Sequence, residues 1–186
     1  MNKKIFYGLT GILTFLVLFT FLSNAQEPEK SCSGDAIEVK QVDALKSMVI
    51  KATVQTAEIG PKMGEMYGKL FGYLQEKGIA PSGAPFAVYY EFNPEGSTTF
   101  EAGVPVADKA EGNDEVVFKE FPAMKVVSKL YTGAYENMIP AYEEINKYMK
   151  DNALESNGTS WEIYLTDPEE VESPDKNQTI IYFPLK

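Results

Sequence analysis

Apolar residues follow two different periods along this chain, and the succession of those periods occurs twice. Met48-Val49-Ile50-Lys51-Ala52-Thr53-Val54 is a β-rich run and predicts a strand. Met63, Met66, Tyr67, Leu70, Phe71 and Leu74 then recur at the i, i+3, i+4 spacing of an amphipathic helix, which Gly78 closes. After a loop from Pro81 to Pro85, Phe86 to Phe92 predicts a strand ending at Asn93-Pro94, and Thr98 to Val106 a further one. The order returns in the second half. Met124 to Tyr131 is a strand, and Gly133-Ala134-Tyr135 leads into a helix with the stripe Met138, Ile139, Tyr142, Ile145, Tyr148 and Met149. Pro140 falls in the first turn of that helix, where its missing N–H costs nothing. Asn157-Gly158 marks a turn, Ser160 to Leu165 a strand stopped by Asp167-Pro168, and Thr179 to Pro184 a closing strand.

The repeats run from about 36 to 106 and from 116 to 186, with the acidic stretch Ala107 to Glu115 between them. Each is too short to bury a good core alone. The pattern predicts an α+β domain: two strand-helix-strand-strand units joined in one antiparallel sheet, two helices on one side, and a central groove on the pseudo-twofold axis. Anchoring the alignment on the two Pro stops makes Tyr90 the mate of Tyr164, and Asn93 the mate of Asp167.

Residues 1–25 carry Lys3 and Lys4, an apolar run from Gly8 to Leu22 and the small-residue end Ser23-Asn24-Ala25, the pattern of a signal peptide. Residues 26–35 are polar, with Pro28 and Gly34, and read as a flexible linker. The expected location is outside the cytoplasm, with membrane attachment only if residues 1–25 stay in place as an anchor.

Charge narrows the partners. The chain has 186 residues and a net charge of −10, and its 17 basic residues are all Lys. Nucleic-acid binders use basic residues on phosphates, so this balance speaks against DNA and RNA and for neutral or cationic ligands. The absence of His removes His-based acid–base catalysis and His-ligated metals, and one Cys provides neither a disulfide nor a metal cluster. No cofactor and no metal are expected.

Candidate chemistry gathers on Ser160-Trp161-Glu162-Ile163-Tyr164-Leu165-Thr166-Asp167-Pro168. Strand alternation puts Trp161, Ile163 and Leu165 on one face and Glu162 and Tyr164 on the other. A mid-strand Glu either faces solvent, the common fate of Glu, or enters a cleft, where beside Tyr164 it forms a receptor for a cation. Trp161, opposite Glu162, is expected to pack under the helices. Tyr67, Tyr135 and Tyr142 belong to helical stripes, which usually serve the core.

Phe121-Pro122-Ala123-Met124, Gly133-Ala134-Tyr135-Glu136, Trp161 to Pro168, and Ile180-Ile181-Tyr182-Phe183-Pro184-Leu185 together resemble the GyrI-like small-molecule-binding domain, also called the AraC-type or bacterial transcription effector-binding domain. The likeness covers residues 36–186. In multidrug-binding members a Glu on the penultimate strand meets the ligand's positive charge among aromatic residues, and Glu162 stands at the matching position. The resemblance brings Glu162 to a ligand site for an amphipathic aromatic, cationic molecule; Tyr164, its pseudo-repeat mate Tyr90, Trp161 and Tyr142 join it as candidate ligand-binding residues, and no catalytic residue is expected. Many relatives place a DNA-binding domain ahead of this module, where this chain has its signal-peptide pattern, so direct transcriptional regulation is not expected. Two alternatives remain: hydrolysis of strained, cyclopropane-type electrophiles by the same Glu, as in some relatives, and a scaffold that binds a protein in the groove.

Overall fold

The computed structural model describes residues 36–186; the signal peptide and linker expected over residues 1–35 lie outside the described residues. The elements are β1 (Glu38–Val42), β2 (Leu45–Gln55), α1 (Ile59–Lys77), β3 (Phe86–Glu91), β4 (Ser97–Pro105), β5 (Val117–Phe121), β6 (Met124–Thr132), α2 (Ile139–Asp151), β7 (Ser160–Tyr164) and β8 (Gln178–Pro184). The strands form one sheet in the order β1-β6-β8-β7-β3-β4-β2-β5, and the paired strands are antiparallel. This is the expected α+β architecture.

Strands β1 and β5 are additions to that expectation. Each leads one repeat but pairs with the other: β1 lies beside β6, and β5 beside β2. The exchange ties the two copies together at both sheet edges. Their sequences, Glu-Val-Lys-Gln-Val and Val-Phe-Lys-Glu-Phe, are short and charged, as suits edge strands that must resist pairing with other chains. The same property hides them from a search for apolar runs.

Both helices cover one face of the sheet. Met66, Leu70 and Leu74 of α1 pack on Met48, Ile50, Phe100, Ala102 and Val104. Ala141, Ile145 and Met149 of α2 pack on Val127 and Ile181. Gly78 ends α1 at φ 66°, the left-handed conformation that favours glycine. Among the described residues no helix is long and apolar enough to cross a membrane.

The other face is concave. Phe121 on β5 lies four strands from β7, about 19 Å away in a flat sheet with strands about 4.8 Å apart. Yet the Phe121 and Trp161 rings are 4.7 Å apart, so the sheet curls into a half-barrel around Val49, Phe86, Val88, Phe121 and Trp161. Gly103 permits this packing: a Cβ there would sit 2.3 Å from the Phe86 ring.

Candidate functional site

The two central strands, β3 and β7, meet where the repeats join, and their register sets Ala87 beside Glu162. Both are on the helix face, because Glu162 also pairs with Ile181, which α2 covers. Glu162 is deep but still reached by solvent. Its donors are phenols: Tyr142 O–H donates to Oε1 at 2.6 Å, Tyr164 to Oε2 at 2.8 Å and Tyr89 to Oε2 at 3.2 Å. The three come from α2, β7 and β3, so the carboxylate ties both repeats together.

Two further tyrosines complete the ring. Tyr67 on α1 meets the Tyr164 ring edge-on at 6.2 Å and anchors its hydroxyl by donating to the Phe86 carbonyl at 2.7 Å. Tyr135, in the turn before α2, also meets the Tyr164 ring edge-on, at 5.7 Å. Five tyrosines from both helical sides and both central strands thus surround one carboxylate.

Burial pushes the Glu162 carboxyl above its usual range, while the hydrogen bonds from Tyr142, Tyr164 and Tyr89 pull it back; burial wins. The phenols shift upward as well. Desolvation comes first, then the Glu162 charge for Tyr89, Tyr142 and Tyr164, so they remain neutral donors well above neutral pH. The carboxylate's charge is therefore spread over hydroxyls, and among the described residues its donors include no lysine.

The predicted residues divide between the two faces. Glu162, Tyr164 and Tyr142 come together. Trp161 does not pack under the helices: it lies on the concave face, stacked on Phe86 at 5.2 Å and only 4 % exposed. Tyr90 is also on the concave face, where its hydroxyl donates to Glu101 at 2.7 Å. The mate of Tyr164 is Tyr89. Matching the paired strands from Pro105 and Pro184 inward aligns Ala87 with Glu162 and Tyr89 with Tyr164. A β-bulge between Tyr89 and Glu91 adds one residue to β3 before its Pro stop, so an alignment anchored on that stop slips by one and exchanges the faces. Tyr67 and Tyr135 read as core in the sequence; no linear signal says that these residues of a helical stripe gather around a carboxylate.

Among the described residues no group of three Asp, Glu or Cys is placed to hold a metal ion. The cluster offers a fixed anionic point, aromatic faces and neutral O–H donors.

A duplicated α+β unit whose two helices flank a polar, aromatic centre on one shared sheet has the architecture of a small-molecule-binding domain. The chain belongs to the family of the GyrI-like small-molecule-binding domain, which matches residues 35–186. No curated protein matches it. Among solved structures it is similar to the C-terminal domain of EcmrR, with 17 % identity, a TM-score of 0.70, and coverage of 82 % of this chain and 98 % of that domain. Against EcmrR in its DNA complex the TM-score is 0.73 at 17 % identity, covering 82 % of this chain and spanning 58 % of that one. A hydrolase encoded by lin2189 from Listeria innocua has 12 % identity and a TM-score of 0.62, over 85 % of this chain and 96 % of that one. SAV2435 bound to tetraphenylphosphonium has 16 % identity and a TM-score of 0.61, over 81 % and 94 %. At these identities the likeness is one of fold.

Proposed function

We propose that this domain captures an amphipathic aromatic cation over Glu162, with the tyrosine rings supplying contact area and the carboxylate the charge. The observation that carries the reading is a deep carboxylate whose hydrogen-bond donors among the described residues are phenols and include no lysine. Such a group is costly when ionised and empty, and a bound cation offsets that cost. Tyrosine faces attract cations through their π systems, the more strongly as water is excluded. The similarity to SAV2435, which binds tetraphenylphosphonium, supports the same ligand class here. The signal-peptide pattern of residues 1–25 supports export, so that the ligand is met outside the cytoplasm.

The test is a thermal-shift titration of the protein with tetraphenylphosphonium, repeated on Glu162→Gln. Stabilisation grows with ligand concentration over its dissociation constant. The reading expects a shift in the wild type and at least tenfold weaker binding in the variant. No shift in the wild type defeats the cation receptor; equal shifts in both proteins remove Glu162 from it. A second reading, hydrolysis of a strained electrophile, draws on the likeness to the Listeria hydrolase and on Glu162 beside Tyr164. Mass spectrometry of a cyclopropane-type compound after incubation separates the two: recovery intact means binding, and a gain of one water means hydrolysis.

A further inference from the structure

The concave face holds a cavity, separated from Glu162 by the thickness of the sheet. Its volume is about 260 Å³, and it opens between the bend after β1, the 81–85 loop and the curled sheet. Phe86, Trp161, Ile163 and Tyr182 line it from the sheet, with Leu45 and Met124 at the sides. Trp161 and Glu162 are chain neighbours facing opposite ways, so β7 serves both sites.

We infer that this cavity is a binding site for a small, neutral, planar aromatic molecule. Size sets the first limit: about 150 Å³ holds one benzene, so the space here takes a substituted or bicyclic ring and no more. Composition sets the second: Phe86, Trp161 and Tyr182 put three aromatic side chains into a lining whose other residues, apart from Asp43, are aliphatic or small, so an aromatic ring meets surroundings like itself. Charge sets the third. The buried acid of the concave face, Glu101, is already neutralised by Lys119 Nζ at 2.7 Å, and the lining itself carries no lysine. The acid in the lining, Asp43, is exposed and therefore solvated. Neither a cation nor an anion finds a desolvated counter-charge.

Trp161 is the only tryptophan of the chain, so the site has its own reporter. The experiment titrates Trp161 fluorescence with 4-nitroanisole, a neutral planar nitroarene that quenches indole emission. Saturable quenching is expected, weakened at least tenfold in Ala84→Phe, which fills the cavity from the 81–85 loop, and unchanged in Glu162→Gln. Quenching that rises linearly without saturation overturns the inference, as does saturable quenching that survives Ala84→Phe or disappears in Glu162→Gln. If circular dichroism shows Ala84→Phe unfolded, nuclear Overhauser contacts in the wild type decide instead. Contacts from the nitroanisole ring protons to the Ile163 and Met124 methyls support the site, and their absence removes it.

Discussion

Glu162 and Glu101 lie on central strands of the same sheet, point to opposite faces, and are each approached by tyrosine. They differ in their third partner. On the concave face Lys119 donates to Glu101 Oε2 at 2.7 Å and to the Tyr90 hydroxyl at 2.9 Å, while Tyr90 donates to the same carboxylate oxygen at 2.7 Å. Charge is cancelled and the triangle is closed; Lys51, 4.7 Å over the Tyr90 ring, adds a second cation nearby. On the helix face three hydroxyls solvate Glu162 and none neutralises it. A buried carboxylate with a lysine is a structural pair, and one with only phenols is a charge ready for a ligand. The repeat sharpens the contrast, because the mate of Glu162 is Ala87: duplication supplied two positions beside the pseudo-twofold axis, and only one carries charge.

The largest effect should come from breaking the closed triangle. Lys119→Met leaves Glu101, 5 % exposed, with one hydroxyl bonded to it and Lys51 as the nearby cation. A loss of about 2 kcal/mol is expected in urea denaturation, below the about 3–5 kcal/mol of a fully buried pair because Lys119 itself is partly exposed. A negligible change would make the two carboxylates equivalent and end the comparison.

Glu162→Gln should behave in the opposite way. The amide oxygen still accepts from Tyr164 and Tyr89, the amide N–H donates to a Tyr142 hydroxyl that turns to accept it, and the desolvated charge is gone, so stability without ligand stays within about 0.5 kcal/mol or rises slightly. Tetraphenylphosphonium affinity falls at least tenfold, about 1.4 kcal/mol. Urea midpoints with and without the ligand check both halves.

Acidity provides a third separation. The folded Glu162 carboxyl is raised above its ordinary 4.5, so the native state keeps this proton to higher pH than the unfolded chain. Its contribution to stability is therefore greatest below the unfolded value and is lost as pH rises through the folded one. Relative to Glu162→Gln, the unliganded wild type should lose stability as pH rises above 4.5. Cation binding needs the ionised form and should run the other way, weakening as pH falls, with a midpoint above 4.5. Calorimetric titration of tetraphenylphosphonium across pH 4–8 measures it, and a flat profile counts against Glu162 as the counter-charge.

The smallest effects rank the phenols. Tyr142→Phe removes the shortest bond to Glu162, at 2.6 Å, and should alter cation affinity by about 1 kcal/mol; Tyr89→Phe removes the longest, at 3.2 Å, and should alter it by a few tenths. Equal effects would mean that ring area, shared by both phenylalanines, matters more than the hydroxyls.

Much of this molecule is legible in its residues, for local reasons. Period-3.6 stripes mark α1 and α2, alternation marks the central strands, and Gly78 and Pro140 punctuate the helices where left-handed or N-terminal geometry requires them. Glu162 stands out because a charged residue inside a run of aromatic and β-branched neighbours needs a cause. What stayed hidden depends on contacts distant in the chain. Strands β1 and β5 are short and charged, and they are strands because neighbours in the other repeat pair with them. One bulge after Tyr89 reverses which tyrosine faces which side. The curl that buries Trp161 against Phe121 brings together residues 40 positions apart.

The sequence by itself determined that two copies of one unit share a sheet, that both helices cover one side of it, and that one acidic residue lies on the penultimate strand. Periodicity and repetition are one-dimensional quantities, and the chain states them directly. Only the tertiary structure decided that five tyrosines converge on Glu162 and that Trp161 and Tyr90 turn away from it, because strand register and sheet curl are relations between segments. A shift of one residue in register moves a side chain from one face of a sheet to the other, and no local pattern in this chain records it.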